Sequence, residues 1–233
     1  MIYMIGIIGG VGFFGTEKFK DAAFENIDTP FGIVQMLVEN DLALIPRHGI
    51  ETKVPPHRIN HRANIFALKE KGITKIIGVN STGSLKKNIA PPTILIPHDY
   101  IGLWNAVTYH DDKIVHVVPG LNENLRQSLI SQAKKYGLEA HEKGVYIQTT
   151  GPRLETKAEI IMLSNFGDVV GMTMASEATL AIELGLGYAS ICSVDNYAHG
   201  IIEASLTNEM ILDNARTNGE RIRKFLLETA GEL

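Results

Sequence analysis

The sequence predicts an α/β protein. We expect one domain over residues 1–233, with three layers, α/β/α, around a central, largely parallel mixed sheet. Three observations predict this. Short apolar runs alternate with segments of helical period along the chain. Several of these runs, such as 73–79 and 187–194, are apolar throughout, as strands covered on both faces are. Glycine, proline, asparagine or serine punctuates most of the boundaries between them.

The elements follow in order. Residues 1–8 read as a buried strand, ended by Gly9 and Gly10. Strands are expected over 33–38 and 42–45, the second running into the loop Pro46-Arg47-His48-Gly49. Residues 60–71 read as a helix, with Ala63, Phe66, Ala67 and Glu70 at helical spacing and Gly72 as its stop. Residues 73–79 form a buried strand leading into a loop, Asn80-Ser81-Thr82-Gly83. Pro91-Pro92 breaks the chain before a strand over 93–96. A strand is expected over 114–118, and a helix over 121–136 ended by Gly137. Residues 145–149 form a strand before Gly151-Pro152-Arg153. Thr156 caps a helix through residue 165, with Glu159 at capping-box spacing. A very short strand at 169–170, a helix over 176–184 and a strand over 187–194 follow. Thr207 caps the last helix, which carries Ile211, Ala215, Ile222 and Leu226 on one face.

Composition sets the bounds. The chain has 233 residues, 45% hydrophobic and 21% charged, enough to bury a sizeable core. A formal charge of −4 argues against a basic nucleic-acid surface. No apolar run reaches the length of a membrane span. One cysteine, Cys192, excludes an intramolecular disulfide and a cysteine-based zinc cluster. The start lacks the pattern of a secretory signal, so a cytoplasmic setting is expected. Eight histidines are present, but none forms H-E-x-x-H, and the single H-x-x-x-H spacing does not by itself propose a metal. His57 and His61 stand four apart, where they can share a helix face without a third ligand.

In parallel sheets, ligands collect at the carboxyl ends of strands, so the polar loops there are the places to look. Gly9-Gly10-Val11-Gly12 lets a backbone approach an anion closely, or is simply a tight turn. As a dinucleotide fingerprint its spacing is wrong and the ribose-binding acid is missing. Arg47 offers a fork of donors suited to an oxyanion, and His48 can add another. Asn80 and Ser81 offer a second anion or hydroxyl surface, or a cap. Glu155 either compensates a helix dipole or accepts from a ligand. Met172 and Thr173 read as apolar padding and a hydroxyl donor, or as core and cap. Asn196 sits in a polar run, Asp195 to His199, directly after a buried strand, and its amide both donates and accepts.

Taken together, these segments resemble the trimeric purine nucleoside phosphorylases, and within them the methylthioadenosine phosphorylase branch. The resemblance spans nearly the whole chain. It is carried by IGIIGGVG at 5–12, PRHG at 46–49, PPHRINHRANIFALKEKG at 55–72, NSTGSL at 80–85, GVYIQTTGPRLETKAE at 144–159, GMTMASE at 171–177 and YASICSVDNY at 188–197. It implies a nucleoside phosphorylase-like fold and reversible phosphorolysis: phosphate attacks the anomeric carbon of a purine nucleoside, giving free base and pentose 1-phosphate. It implies no metal or organic cofactor, inorganic phosphate as co-substrate, and a trimer or a dimer of trimers.

Carried over by position, Gly10, Val11, Arg47, His48, Asn80, Ser81 and Thr173 are the expected phosphate contacts. Leu154, Glu155, Met172, Asn196, Ala198, Asn208 and Ile211 are the expected substrate contacts. Asn196 and His48 are the expected catalytic residues. Where the family has Ser or Thr, this chain has Val11, which removes a hydroxyl contact to phosphate. Leu154 replaces a phenylalanine against the nucleoside. The adenine-specific branch has acids at the positions of Asn196 and Ala198, whereas the 6-oxopurine branch has the pair found here as Glu155 and Asn196. An amide N–H can donate to O6 of hypoxanthine or guanine, and a carboxylate at 155 can accept from N1–H, which neutral adenine lacks. The expected substrates are therefore 6-oxopurine nucleosides of the inosine or guanosine type. Polar Asn208 leans toward a 5′-hydroxyl, while Ile211 and Leu212 leave methylthioinosine open. Alternatives are a methylthioadenosine phosphorylase with an unusual base pocket and a nucleoside-binding protein that has lost catalysis.

Overall fold

A computed structural model describes residues 5–14, 23–39, 42–104, 107–203 and 207–233, and the side chains of Val11 and Asn208 lie outside that description. Four parallel strands make its centre. β1 (Ile5–Gly9) lies between β4 (Leu42–Pro46) and β5 (Lys75–Ser84), and β10 (Gly187–Tyr197) lies on the far side of β5. β2 (Glu25–Thr29) and β3 (Gly32–Glu39) extend the sheet antiparallel beyond β4. β6 (Thr93–Leu95) pairs antiparallel with β10. The short β9 (Val169–Gly171) crosses the end of β5 antiparallel and carries β8 (Val145–Gln148) and β7 (Asp99–Ile101) in parallel.

Helices cover both faces, as the uniformly apolar strands require. α1 (Val11–Phe14), α3 (Glu123–Tyr136) and α6 (Asn208–Thr229) share one core with Ile5, Ile7, Ala189 and Ile191. α2 (His61–Glu70) and α5 (Met174–Glu183) share the other with Ile8, Ile76, Tyr188 and Cys192. α4 (Lys157–Leu163) closes a smaller cluster around Ile147 and Val170. The expected caps are present, Thr207 on α6 and the full Thr156–Glu159 capping box on α4, and Asn60, expected as the first helical residue, is instead the N-cap of α2. No helix among the described residues is long and apolar enough to cross a membrane.

Several boundaries depart from the sequence reading. Residues 114–118 form no strand. Ile114 and Val118 are each 89% exposed, since no strand among the described residues pairs with them, and apolar β-formers become strands only where a pleated partner exists. The expected loop at 80–83 and the polar run at 195–197 are instead the last turns of β5 and β10, which pair with each other to Ser84 and Tyr197. α5 starts two residues early, at Met174. β2 and β7 were not anticipated, because alternating or charged short segments such as ENIDT carry little strand signal. Residues 1–4 of the first expected strand lie outside the described residues. His57 ends up in a 3-10 turn, Pro56–Arg58, and His61 begins α2, so they share no helix face.

Candidate functional site

The carboxyl ends of β1, β4, β5, β9 and β10 open into one cleft of about 250 Å³. Of the residues singled out in the sequence, Gly10, Arg47, His48, Ser81, Leu154, Glu155, Met172, Thr173, Asn196, Ala198 and Ile211 line it. Asn80 does not. It is fully buried one layer behind, against Thr173. The expected side-chain contacts of Val11 and Asn208 lie outside the described residues.

At one end sits Arg47, carried by the tip of β4. Its guanidinium is anchored at nearly every donor: Nε and Nη2 to the Glu177 carboxylate at 2.5 and 3.0 Å, Nη1 to the Val79 carbonyl at 2.7 Å and Nη2 to the Ile8 carbonyl at 2.9 Å. One of five N–H groups, on Nη1, is left for the cleft. Gly10 keeps that approach clear, for a Cβ there would stand 3.3 Å from Nη1. Gly12 lets α1 close on α6, where a Cβ would meet the Ala215 carbonyl oxygen at 2.1 Å.

Glu177, on α5, also accepts from the Tyr188 hydroxyl at 2.7 Å, and His61 Nδ1 lies 3.8 Å from it. Burial holds the His61 imidazole down to about 4, against the pull of Glu177 in the other direction.

His48 is fixed by a 2.7 Å contact from Nδ1 to the Val54 carbonyl. A carbonyl only accepts, so Nδ1 carries the proton, and Nε2 of the neutral ring is an acceptor. Burial lowers the His48 pKa, which favours that neutral form.

Thr173 is the N-cap of α5, yet its hydroxyl makes no cap hydrogen bond. The donors and acceptors around Asn80 are all satisfied when its amide oxygen faces Thr173 Oγ1 at 2.8 Å and Arg47 Nη2 at 3.1 Å, and its nitrogen faces Ser190 Oγ at 2.8 Å. Asn80 therefore links Thr173 to Arg47. The N-terminus of α5 lies at the same place and turns its positive dipole end there, while its first main-chain N–H groups are held by side chains, those of Thr173 and Met174 by the Tyr146 hydroxyl and that of Ser176 by Gln148 Oε1.

At the other end, Glu155 is 9% exposed and receives the Thr149 hydroxyl on Oε1 at 2.5 Å. Its main-chain oxygen lies 3.3 Å from His199 Nδ1, and His199 lines the cleft as well. Dipole compensation of α4 falls instead to Glu159 in the capping box. Asn196 lines the same cleft. One amide N–H donates to the Tyr197 carbonyl at 2.9 Å, which leaves a second N–H and the oxygen for a ligand. Between the two ends, Met172, Val170, Ala198, Ile211, Leu212 and Ala215 give an apolar lining. Among the described residues, no group of three or more His, Cys, Asp or Glu is placed to hold a metal ion.

The arrangement can receive an oxyanion at the Gly10–Arg47–Thr173 end. It can also read a flat heterocycle by an acceptor at 155 and a two-way amide at 196. Sequence reasoning did not assign Glu177, Thr149 or Asp195 to the site. None of the three lines the cleft, but Glu177 is hydrogen-bonded to Arg47, Thr149 to Glu155 and Asp195 to Ser81, pairings that only the fold reveals.

Known proteins resemble this chain over nearly its whole length. The model of the Phosphorylase superfamily matches residues 4–230. A probable 6-oxopurine nucleoside phosphorylase of Archaeoglobus fulgidus is 46% identical over 230 residues, covering 97% of this chain and 95% of the relative. A probable S-methyl-5′-thioinosine phosphorylase of Methanocaldococcus jannaschii is 40% identical, with 96% and 90% covered. Among solved structures, methylthioadenosine phosphorylase from Schistosoma mansoni in complex with adenine superposes with a TM-score of 0.84 at 28% identity, covering 97% of this chain and 90% of that one.

Proposed function

The chain belongs to the Phosphorylase superfamily, and from that premise we propose that it cleaves 6-oxopurine nucleosides by phosphorolysis. The observation that carries this reading is that Glu155 and Asn196 line one and the same cleft as Arg47, His48 and Thr173.

Phosphate rests at the Gly10–Arg47 end, held by the free Arg47 N–H and the positive dipole end of α5, while the hydroxyl oxygens of Thr173 and Ser81, whose protons go to Asn80 and Asp195, accept from a protonated phosphate oxygen. His48 Nε2, an acceptor, takes a hydroxyl of phosphate or sugar. These groups position a nucleophile that is already anionic, so their contribution is orientation and charge complementarity. A phosphate oxygen forms the new bond to C1′ as the C1′–N9 bond breaks, and its electron pair passes into the purine. Asn196 donates to O6; N7, which carries no hydrogen in the nucleoside, takes a proton from solvent as negative charge reaches the ring, and the Asn196 amide oxygen accepts from the N7–H so formed, while Glu155 accepts from N1–H. A neutral adenine offers no N1–H and no O6, so it leaves buried groups unpaired, which discriminates strongly.

No cofactor enters this scheme beyond inorganic phosphate. A homo-oligomer, trimer or dimer of trimers, is supported by the exposed apolar side chains of Leu103, Trp104, Ile161, Met162 and Phe166, of which Trp104 and Met162 line a second pocket with Glu155. A cytoplasmic setting is supported by the one cysteine, buried Cys192.

A second reading adds a 5′-methylthio group to the same base. Ile211, Leu212, Ala215 and Pro56 line the cleft together and give an apolar slot. The test is phosphate-dependent base release from inosine, guanosine, methylthioinosine, adenosine and methylthioadenosine. Preference for a hypoxanthine or guanine compound is expected. Equal or better turnover of the adenine compounds overturns the base assignment.

A further inference from the structure

We propose that Asp195 is a positioning residue that ties the anion end of the cleft to its base end. It holds Ser81 by its hydroxyl and anchors the bulge that turns Asn196 into the cleft. The proposal rests on the reading of the cleft given above.

Asp195 is fully buried. The donors that hold it among the described residues are neutral: Ser81 Oγ at 2.5 Å, Ser193 Oγ, and Asn218 Nδ2 at 3.4 Å. A carboxylate kept out of water by hydroxyls and an amide is costly to hold, so a task for it is to be sought. Its backbone supplies one. β10 and β5 run in register up to Val194 opposite Thr82, and the next pair is Asn196 opposite Gly83. Asp195 is the extra residue of a β-bulge, and bulges beside sites re-aim the side chain that follows. The residue re-aimed here is Asn196. From the other side, α6 grips the bulge by Asn214 Nδ2, which donates to the Asp195 carbonyl at 2.8 Å.

The carboxylate reaches the other end of the cleft through Ser81. The Ser81 side chain lines the cleft, and its one proton goes to Asp195 Oδ2. The lone pairs of Ser81 therefore face a ligand, and Ser81 meets a ligand hydroxyl as an acceptor. An amide at 195 can donate to Ser81 instead, which releases that proton and reverses the polarity Ser81 shows. One buried group thus sets how Ser81 and Asn196 are presented together.

The test is a double-mutant cycle of Ser81→Ala and Asp195→Asn, with inosine and phosphate varied separately. Asp195→Asn is expected to lower kcat at least tenfold and to raise both KM values. Ser81→Ala alone is expected to raise the phosphate KM severalfold. The double variant is expected to match Asp195→Asn within about twofold. Losses that multiply in the double variant overturn the proposal. So does an Asp195→Asn protein with a lowered Tm but wild-type kcat and KM values, the mark of a merely structural role. If Asp195→Asn does not fold, Asn214→Ala loosens the same bulge, and a rise in neither KM overturns the proposal. Wild type in the same assay separates the two readings. A wild type without phosphate-dependent base release overturns the function proposed for the cleft. An active wild type with multiplying losses overturns the role of Asp195 alone.

Discussion

Arg47 and Glu177 face each other in a doubly hydrogen-bonded ion pair in which neither side chain reaches water, with Nε on Oε1 at 2.5 Å and Nη2 on Oε2 at 3.0 Å. The guanidinium at the anion end of the cleft is therefore held from behind by a carboxylate on α5. Glu177 in turn is braced by Tyr188. Such a pair contributes little net stability against an apolar replacement, but breaking it strands a buried charge.

Glu177→Gln should therefore destabilise the fold by about 3–5 kcal/mol, a Tm drop of roughly 6–20 °C for a chain of this size. The phosphate KM should rise as well, because the anchored orientation of Arg47 is lost. A thermal melt and a phosphate titration check both. A variant that melts with wild type would mean that Arg47 finds another partner.

Asn196→Asp exchanges a donor to O6 for a carboxylate that repels it. Turnover of inosine should fall by about 10²–10³-fold, the usual loss when one donor to a developing charge is removed. Glu155 still opposes adenine, so adenosine should gain little. Side-by-side kcat/KM values for inosine and adenosine measure it, and an unchanged inosine value would remove Asn196 from base recognition.

Thr149→Val keeps the shape of the side chain and deletes the hydroxyl that meets Glu155 Oε1 at 2.5 Å. A hydrogen bond to a charged group is worth about 1.5–3 kcal/mol. Freed of it, Glu155 should recognise N1–H less well. The inosine KM should rise about ten- to hundredfold while the phosphate KM stays put. A rise in the phosphate KM instead would show that Thr149 supports the other end of the cleft.

What the sequence made legible follows from where its signals are local. The uniformly apolar strands predicted the covered sheet, and Thr156 with Glu159 predicted the capping box now seen. Arg47, Thr173, Glu155 and Asn196 could each be named as polar residues at strand ends. Their supports could not. Glu177 lies in the apolar segment MASEATLAIE, where one acid reads as a solvated face until an arginine 130 residues away is brought against it. Asn80 and Ser81 read as a loop because polarity suggests one. They remain strand because β10 runs parallel beside them, with Cys192 and Ser193 in register with Asn80 and Ser81. Residues 114–118 failed in the opposite sense, having strand-forming side chains and no strand to join. Pairing is a property of the neighbour, which one segment cannot disclose.

Asp195 gives stability and function opposite signs. Burial raises its carboxyl from 3.8 to about 6, against the lowering effect of Ser193, Ser81 and Asn218. Between those values the folded chain holds a proton that the unfolded chain has released. Stability from this group is therefore greatest at low pH and declines as pH rises from about 4 to about 6. Above that the loss is complete, roughly 3 kcal/mol at 1.36 kcal/mol per pKa unit. Asp195→Asn cannot ionise and resembles the protonated acid in shape. The variant should match wild type in Tm near pH 4 and gain on it steadily to a plateau above pH 6, while its turnover falls. Melts of both proteins from pH 4 to pH 8 measure the gap. A gap that does not change with pH would mean that Asp195 is not the group whose burial is being relieved.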